Sequence, residues 1–206
     1  MSDGTGSEDA TAGSLPEEIL EAVPDWEDEY LNRVAHRLVH TYDLEKDVTA
    51  NGESFALHGD LRVESSKHLF HPSITYANHR MREYLYADRR SSVRVADLER
   101  LVALGHDLAD ERVDPDDRHR ATEFTFVLVA PSIPDEVREF VAGFSDRTLL
   151  KYGFHGHYEI HLGVVAPDRE VVVSSDRTEI DAAFATWEPI ERDRSLLSRV
   201  LGLFSR

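Results

Sequence analysis

Phe124-Thr125-Phe126-Val127-Leu128-Val129 is a run of bulky side chains with a single hydroxyl among them. Alternate residues of a strand point to opposite faces, so a run without polar alternation needs apolar neighbours on both sides. Strands of that kind lie in the middle of sheets whose two faces are covered by helices. Glu123 to Ala130 is therefore predicted as a central strand. Pro131-Ser132-Ile133-Pro134-Asp135 closes it and opens a helix to about Phe144, with Val137, Phe140, Val141 and Phe144 as the buried face. Upstream, Val95 to Val113 reads as a helix with the stripe Leu98, Leu101, Val102, Gly105, Leu108 and Ala109. Asp97 stands in its first turn, where the helix dipole favours it. Its N-cap is weak, because Arg94 stands where Ser or Asp is preferred.

The remaining elements follow from the same periodicities. Ser14-Leu15-Pro16-Glu17 has capping-box spacing for a short helix to about Ala22. A longer helix is predicted over about Trp26 to Tyr42, with Leu31, Val34, Ala35, Leu38 and Tyr42 as its stripe. His36 and His40 share a helical face opposite that stripe and read as solvated. After the Asn51-Gly52 turn, Glu53 to Glu64 alternates. Phe55, Leu57, Gly59, Leu61 and Val63 face one way, and Ala56, His58, Asp60, Arg62 and Glu64 the other. Ile74 to Asn78 and Glu83 to Asp88 read as two further strands. Thr148 to Tyr152, His157 to Ala166 and Glu170 to Val173 read as strands, with a bend over Gly153 to Gly156, and Thr178 to Trp187 reads as a helix.

The predicted order is α-βββ-α-β-α-βββ-α. It gives an α/β (mixed α+β) fold class, a single layered domain with a mixed β-sheet flanked by helices. Residues 1–13 carry almost no apolar side chain and are expected to be a disordered acidic tail. Residues 14–188 form the domain, and residues 189–206 a linker and a short amphipathic C-terminal helix.

The densest group of potential ligands falls in Arg147 to Ala166. Counted at strand spacing, His155, His157, Glu159 and His161 share one face, and Gly156, Tyr158, Ile160 and Leu162 the other. Three imidazoles and a carboxylate are the donor types of a divalent-metal site. A polar sheet face open to solvent has the same composition. If the 53–64 strand lies beside this one, His58 and Asp60 are neighbours of the row.

The chain has 40 acidic residues against 23 basic ones, a formal charge of -17. Only Lys46, Lys67 and Lys151 are lysine; the other cations are arginine. Dense carboxylates keep a protein hydrated where molar salt has shortened the screening length to about 3 Å. Cysteine is absent, which excludes a disulfide framework, a thiolate zinc site and a Cys nucleophile. With no membrane-length apolar run and a polar N-terminus, the expected location is cytoplasmic. No Gly-rich phosphate loop, Gly-x-Ser-x-Gly or His-Glu-x-x-His is present. No basic strip interleaved with aromatics supports nucleic-acid binding.

Two resemblances bear on this reading. Asp97-Leu98-Glu99-Arg100-Leu101, Phe124 to Val129 with Ile133-Pro134-Asp135-Glu136-Val137-Arg138-Glu139-Phe140, and Leu149-Leu150-Lys151-Tyr152-Gly153 with Gly156-His157-Tyr158-Glu159 resemble an uncharacterised haloarchaeal domain family. That resemblance covers about residues 25 to 187 and implies relatives without implying a chemistry. The first six elements, αβββαβ, also resemble the core of restriction-endonuclease-like nucleases. Such a core implies an acidic residue on the second strand and Glu-x-Lys on the third. Here the third strand reads Glu83-Tyr84-Leu85, and Glu64 and Lys67 are one residue too far apart.

Three functions stay open. One is a non-catalytic binding or regulatory module, favoured by the missing motifs. Another is an enzyme using a divalent metal on the histidine-rich strand face. The last is a catalytically inactive nuclease-like protein that binds nucleic acid without cutting it. In Ser195 to Phe204, Leu196, Leu197, Val200, Leu201 and Phe204 stand at helical spacing with Leu203 beside them, which suits packing on the domain itself, docking on a protein partner or lying on a membrane surface.

Overall fold

Val127 and Val129 point to one side of the sheet and Phe124, Phe126 and Leu128 to the other, and all five are buried. The central strand is thus covered on both faces, as its uninterrupted apolar run requires. A computed structural model describes residues 24–68, 75–175 and 179–189. In chain order its elements are α1 (Glu29–Leu38), β1 (Asp43–Ala50), β2 (Glu53–His68), β3 (Thr75–Arg89), α2 (Val95–Arg112), β4 (His119–Val129), α3 (Asp135–Gly143), β5 (Asp146–Leu149), β6 (His157–Ala166), β7 (Val171–Ser174) and α4 (Glu179–Phe184). The sheet runs β1-β2-β3-β4-β6-β5, with β7 also pairing β6. β1, β2 and β3 form an antiparallel meander, β3, β4 and β6 are parallel, and β5 and β7 return antiparallel. The fold is a mixed sheet between two helical layers.

Each layer is built by a helix whose apolar stripe matches one side of the sheet. Leu98, Leu101, Leu104, Leu108 and Ala109 of α2, with Val137 and Val141 of α3, close over Tyr84, Tyr86, Phe124, Phe126, Ile160 and Leu162. Tyr30, Leu31, Val34, Ala35 and Leu38 of α1, with Phe184 of α4, close over Leu57, Leu85, Ala87, Val127, Val129 and Val165. α1 starts at Asp28, whose carboxylate accepts from the backbone N–H of Tyr30 and Leu31. In α2, Asp97 reaches back to the Arg94 backbone N–H at 2.9 Å, so the first turn is held although Arg94 supplies no side-chain cap.

Three sequence expectations change. Asp43–Ala50 is a strand with no counterpart in the periodicity, because Asp-Leu-Glu-Lys-Asp-Val-Thr-Ala forms an edge exposed along most of its length. Edge strands are commonly charged, which hides them from an alternation test. The strands expected at 74–78 and 83–88 are one, and His79, Arg80 and Met81 lie inside β3 rather than in a turn. β5 is shorter than expected and ends at Leu149. The expected tail at 1–13, the helix from Ser14 to about Ala22 and the apolar stretch Ser195 to Phe204 lie outside the described residues. Among the described residues no helix is long and apolar enough to cross a membrane.

Candidate functional site

Register places the site. β4 pairs β6 with Glu123 opposite Glu159 and Thr125 opposite His161. β3 pairs β4 with Glu83 opposite Glu123 and Leu85 opposite Thr125. β5 adds Arg147 opposite Glu159. Residues opposite one another share a face, so Glu83, Glu123, Glu159 and Arg147 form one row across four strands. Leu85, Thr125 and His161 form the next. Continuing the alternation through Val127 and Val165 puts both rows on the face of α1 and α4.

That face is only partly covered among the described residues. Ten residues of helix span about 15 Å, whereas the eleven of β4 span about 36 Å. α1 and α4 close over Leu85, Val127, Val129 and Val165, and α4 walls the hollow at Thr125 and His161, so the glutamate row lies toward the N-terminal ends of β4 and β6, at the margin of that cover.

The side chains interlock. Arg147 Nη2 donates to His157 Nδ1 at 3.2 Å, which leaves the proton of the neutral ring on Nε2, 3.2 Å from Glu159 Oε1. Arg147 Nε is 3.3 Å from the same oxygen. The hydrogen bond from His157, with the nearby cations, holds the Glu159 carboxyl below the usual range although burial acts to raise it. His161 Nε2 faces the other Glu159 oxygen at 3.4 Å and Glu123 Oε2 at 3.7 Å. The His161 side chain is 8% exposed and that of Glu123 13%. Nε2 makes no hydrogen bond, and neither does Thr125 Oγ1 beside it. Both residues line a hollow of about 270 Å³, counting the solvent it opens to, walled by Val165, Ser174, Asp181 and Phe184. Ser174 Oγ donates to Asp181 at 2.7 Å. Among the described residues, no three His, Asp or Glu side chains already converge on one point as ligands of an ion.

Of the residues singled out in the sequence, His157, Glu159 and His161 stand together on β6. His155 does not join them. Gly156, at a φ of +75°, turns the chain before β6 begins. His155 Nδ1 instead donates to the Pro115 carbonyl at 2.9 Å, and its Nε2 lies 3.4 Å from Asp117. His58 and Asp60 are not neighbours either. β3 and β4 separate β2 from β6, and both side chains point to the opposite face. His58 is stacked on Tyr86 with ring centroids 4.5 Å apart, and its Nδ1–H donates to the Leu85 carbonyl. His36 is exposed on α1 and His40 is exposed in the turn that follows it.

Asp60 has a structural task. Burial acts to raise its pKa, but hydrogen bonds from Arg82 and Arg62 outweigh burial and hold it at about 2. A carboxyl depressed in the fold stabilises it above its unfolded pKa, and that contribution is lost as pH falls from about 4 towards 2. Asp60→Asn is expected to cost about 1 kcal/mol at neutral pH after allowance for solvent screening. The difference from wild type should vanish near pH 2 in a chemical-denaturation series.

Glu83, Glu123, Thr125, Arg147 and Asp181 join the site without being expected in it from the sequence. One signal was available for two of them, since Glu123 and Thr125 are polar residues on one face of a strand whose apolar run demands burial on both sides. On the other face, His106 Nε2 lies 3.1 Å from Asp146, and Nδ1 lies 3.0 Å from the Tyr158 hydroxyl. That chain joins α2, β5 and β6, so no local motif announces it.

A family described as Domain of unknown function (DUF8052) matches residues 27–186, well over half of the chain. The chain belongs to that family. The matched span of the DUF8052 domain contains α1 to α4, the whole sheet and every residue of the two polar rows. Neither the curated proteins nor the solved structures compared with it give a match.

Proposed function

We propose that this DUF8052 domain is a non-catalytic binding module whose ligand is a small cation, taken up where Glu83, Glu123 and Glu159 stand side by side. Glu123 carries the reading. Its carboxylate is mostly buried between two other glutamates, and the His161 ring, at 3.7 Å, is too far to hydrogen-bond it. Like charges opposite one another on neighbouring strands destabilise a sheet, and a buried charge needs a partner. A bound cation supplies both. The test is thermal unfolding against panels of cations and anions at fixed ionic strength. At a concentration one hundred times its Kd, a cation should raise the melting temperature by about 5–11 °C, and Glu123→Gln should abolish the rise. A rise caused by anions, or by no ion at all, would sink the reading.

The acidic surface supports a haloarchaeal, cytoplasmic setting. With a formal charge of -17, self-repulsion is relieved by salt. The melting temperature should rise between about 0.1 M and 1 M KCl, where the screening length falls from about 10 to 3 Å. An unchanged melting point would count against that setting. The meander followed by parallel β4 keeps the distant likeness to the restriction-endonuclease core as a second reading. Leu85 stands where that core has lysine, which favours a member that does not cut.

A further inference from the structure

We infer that the cation is a divalent transition-metal ion of the zinc class, held by Glu123, Glu159 and His161 with an open coordination position toward the hollow. The inference rests on the cation reading above and narrows it. His161 Nε2 is buried without a hydrogen bond and stands beside carboxylates from two strands. Deprotonated, its lone pair faces two negative groups; protonated, it reaches neither at hydrogen-bonding distance. A metal ion satisfies the nitrogen and both carboxylates at once. Bonds of about 2.0–2.2 Å in a tetrahedral site put donors about 3.3–3.6 Å apart. The two nitrogen–oxygen separations here, 3.4 and 3.7 Å, lie in or just above that range.

Thr125 adds an independent observation. It is paired with His161 in the ladder, its hydroxyl is also buried without a partner, and it lines the same hollow. Water on a fourth coordination position would give that hydroxyl its hydrogen bond. The donor set also selects the ion. An imidazole among the ligands favours zinc, cobalt or nickel over magnesium and calcium, which take oxygen. His157 and Arg147, both on Glu159, orient the ligand rather than bind the ion.

The full chain, purified through a chelator and kept in KCl at about 1 M, is titrated calorimetrically with Zn²⁺, Co²⁺ and Mg²⁺. One equivalent of Zn²⁺ should bind at least roughly 100-fold more tightly than Mg²⁺. His161→Gln and Glu123→Gln should each weaken Zn²⁺ by at least roughly 30-fold, while His155→Gln binds as wild type does. Bound Co²⁺ should show the intense visible absorption of a four-coordinate site, which tests the wild-type chain without any substitution. Zinc binding no tighter than magnesium, unchanged binding in His161→Gln, or a cobalt spectrum like that of the aqueous ion overturns the inference. Ethylammonium is the control. If it raises the melting temperature of wild type but not of Glu123→Gln, and zinc does nothing, the metal falls and the cation reading stands. If neither ligand acts, both fall.

Discussion

Gly156→Ala is expected to cost about 4 kcal/mol, close to the limit for a single substitution. Two effects combine. The backbone φ of +75° lies in the left-handed region, where a side chain is strained. A Cβ built there would stand 2.2 Å from the Arg120 carbonyl oxygen and 2.9 Å from that of His119. Those contacts are backbone and cannot swing aside. Gly153 separates the terms, because its φ of +87° is equally left-handed but its Cβ would meet nothing within 4 Å. Gly153→Ala should therefore cost only about 1 kcal/mol. The melting temperature should fall by about 8–16 °C for Gly156→Ala and about 2–4 °C for Gly153→Ala. Equal falls would show that conformation alone matters at the bend.

Gly156 matters for the site as well as for the fold. It brings the chain against the start of β4, where His119 Nδ1–H donates to the His155 carbonyl at 2.7 Å. The pairs that follow in register are Ala121 with His157 and Glu123 with Glu159. A shift at the bend therefore moves Glu159 and His161 relative to Glu123 and Thr125. On the proposed cation reading, a Gly156→Ala chain that still folds should bind the cation more weakly although none of the proposed ligands has been changed.

How far the sequence discloses this arrangement depends on the range of each interaction. The apolar run at Phe124 to Val129 and the stripe of α2 are local, and the strand and helix follow from them. β6 begins and ends where its alternation says, at His157 and Ala166. Its polar side, His157, Glu159 and His161, was legible for the same reason. The other half of the site was not, because Glu83, Glu123 and Arg147 come from three strands whose order only the tertiary fold sets. The same limit explains His58 and Asp60. Alternation places them correctly on one side of β2, but nothing local says that two strands intervene before β6 or that this side faces α2. β1 is not legible locally, because a charged edge strand lacks the pattern that marks a half-buried one.

Phe184→Ala is expected to cost about 3–4 kcal/mol, the lower part of the range for a buried aromatic. The ring is fully buried in the layer of α1 and walls the hollow beside His161. Its helix is six residues long, too short to hold by itself. α4 is fixed from α1 instead. The Tyr30 hydroxyl donates to the Phe184 carbonyl at 2.7 Å. The Arg37 guanidinium gathers the carbonyls of Ala182, Ala185, Thr186 and Glu188 at 2.7 to 3.1 Å, which meets the unsatisfied end of the helix. These anchors keep α4 in place when the ring is removed, so a cavity remains and its cost is felt. Water admitted there reaches Thr125 and His161 and offsets part of the loss, which is why the lower part of the range applies. Denaturant titration should show the full decrease as one transition, with a midpoint shift and an unchanged slope. If stability is unchanged while the Ala185 amide, bonded to Asp181 at 2.8 Å, exchanges faster, α4 opens as a unit of its own. The expectation would then be wrong. Arg37→Met distinguishes anchoring from packing. It leaves the ring in place and should speed exchange at Ala185 more than it lowers the midpoint.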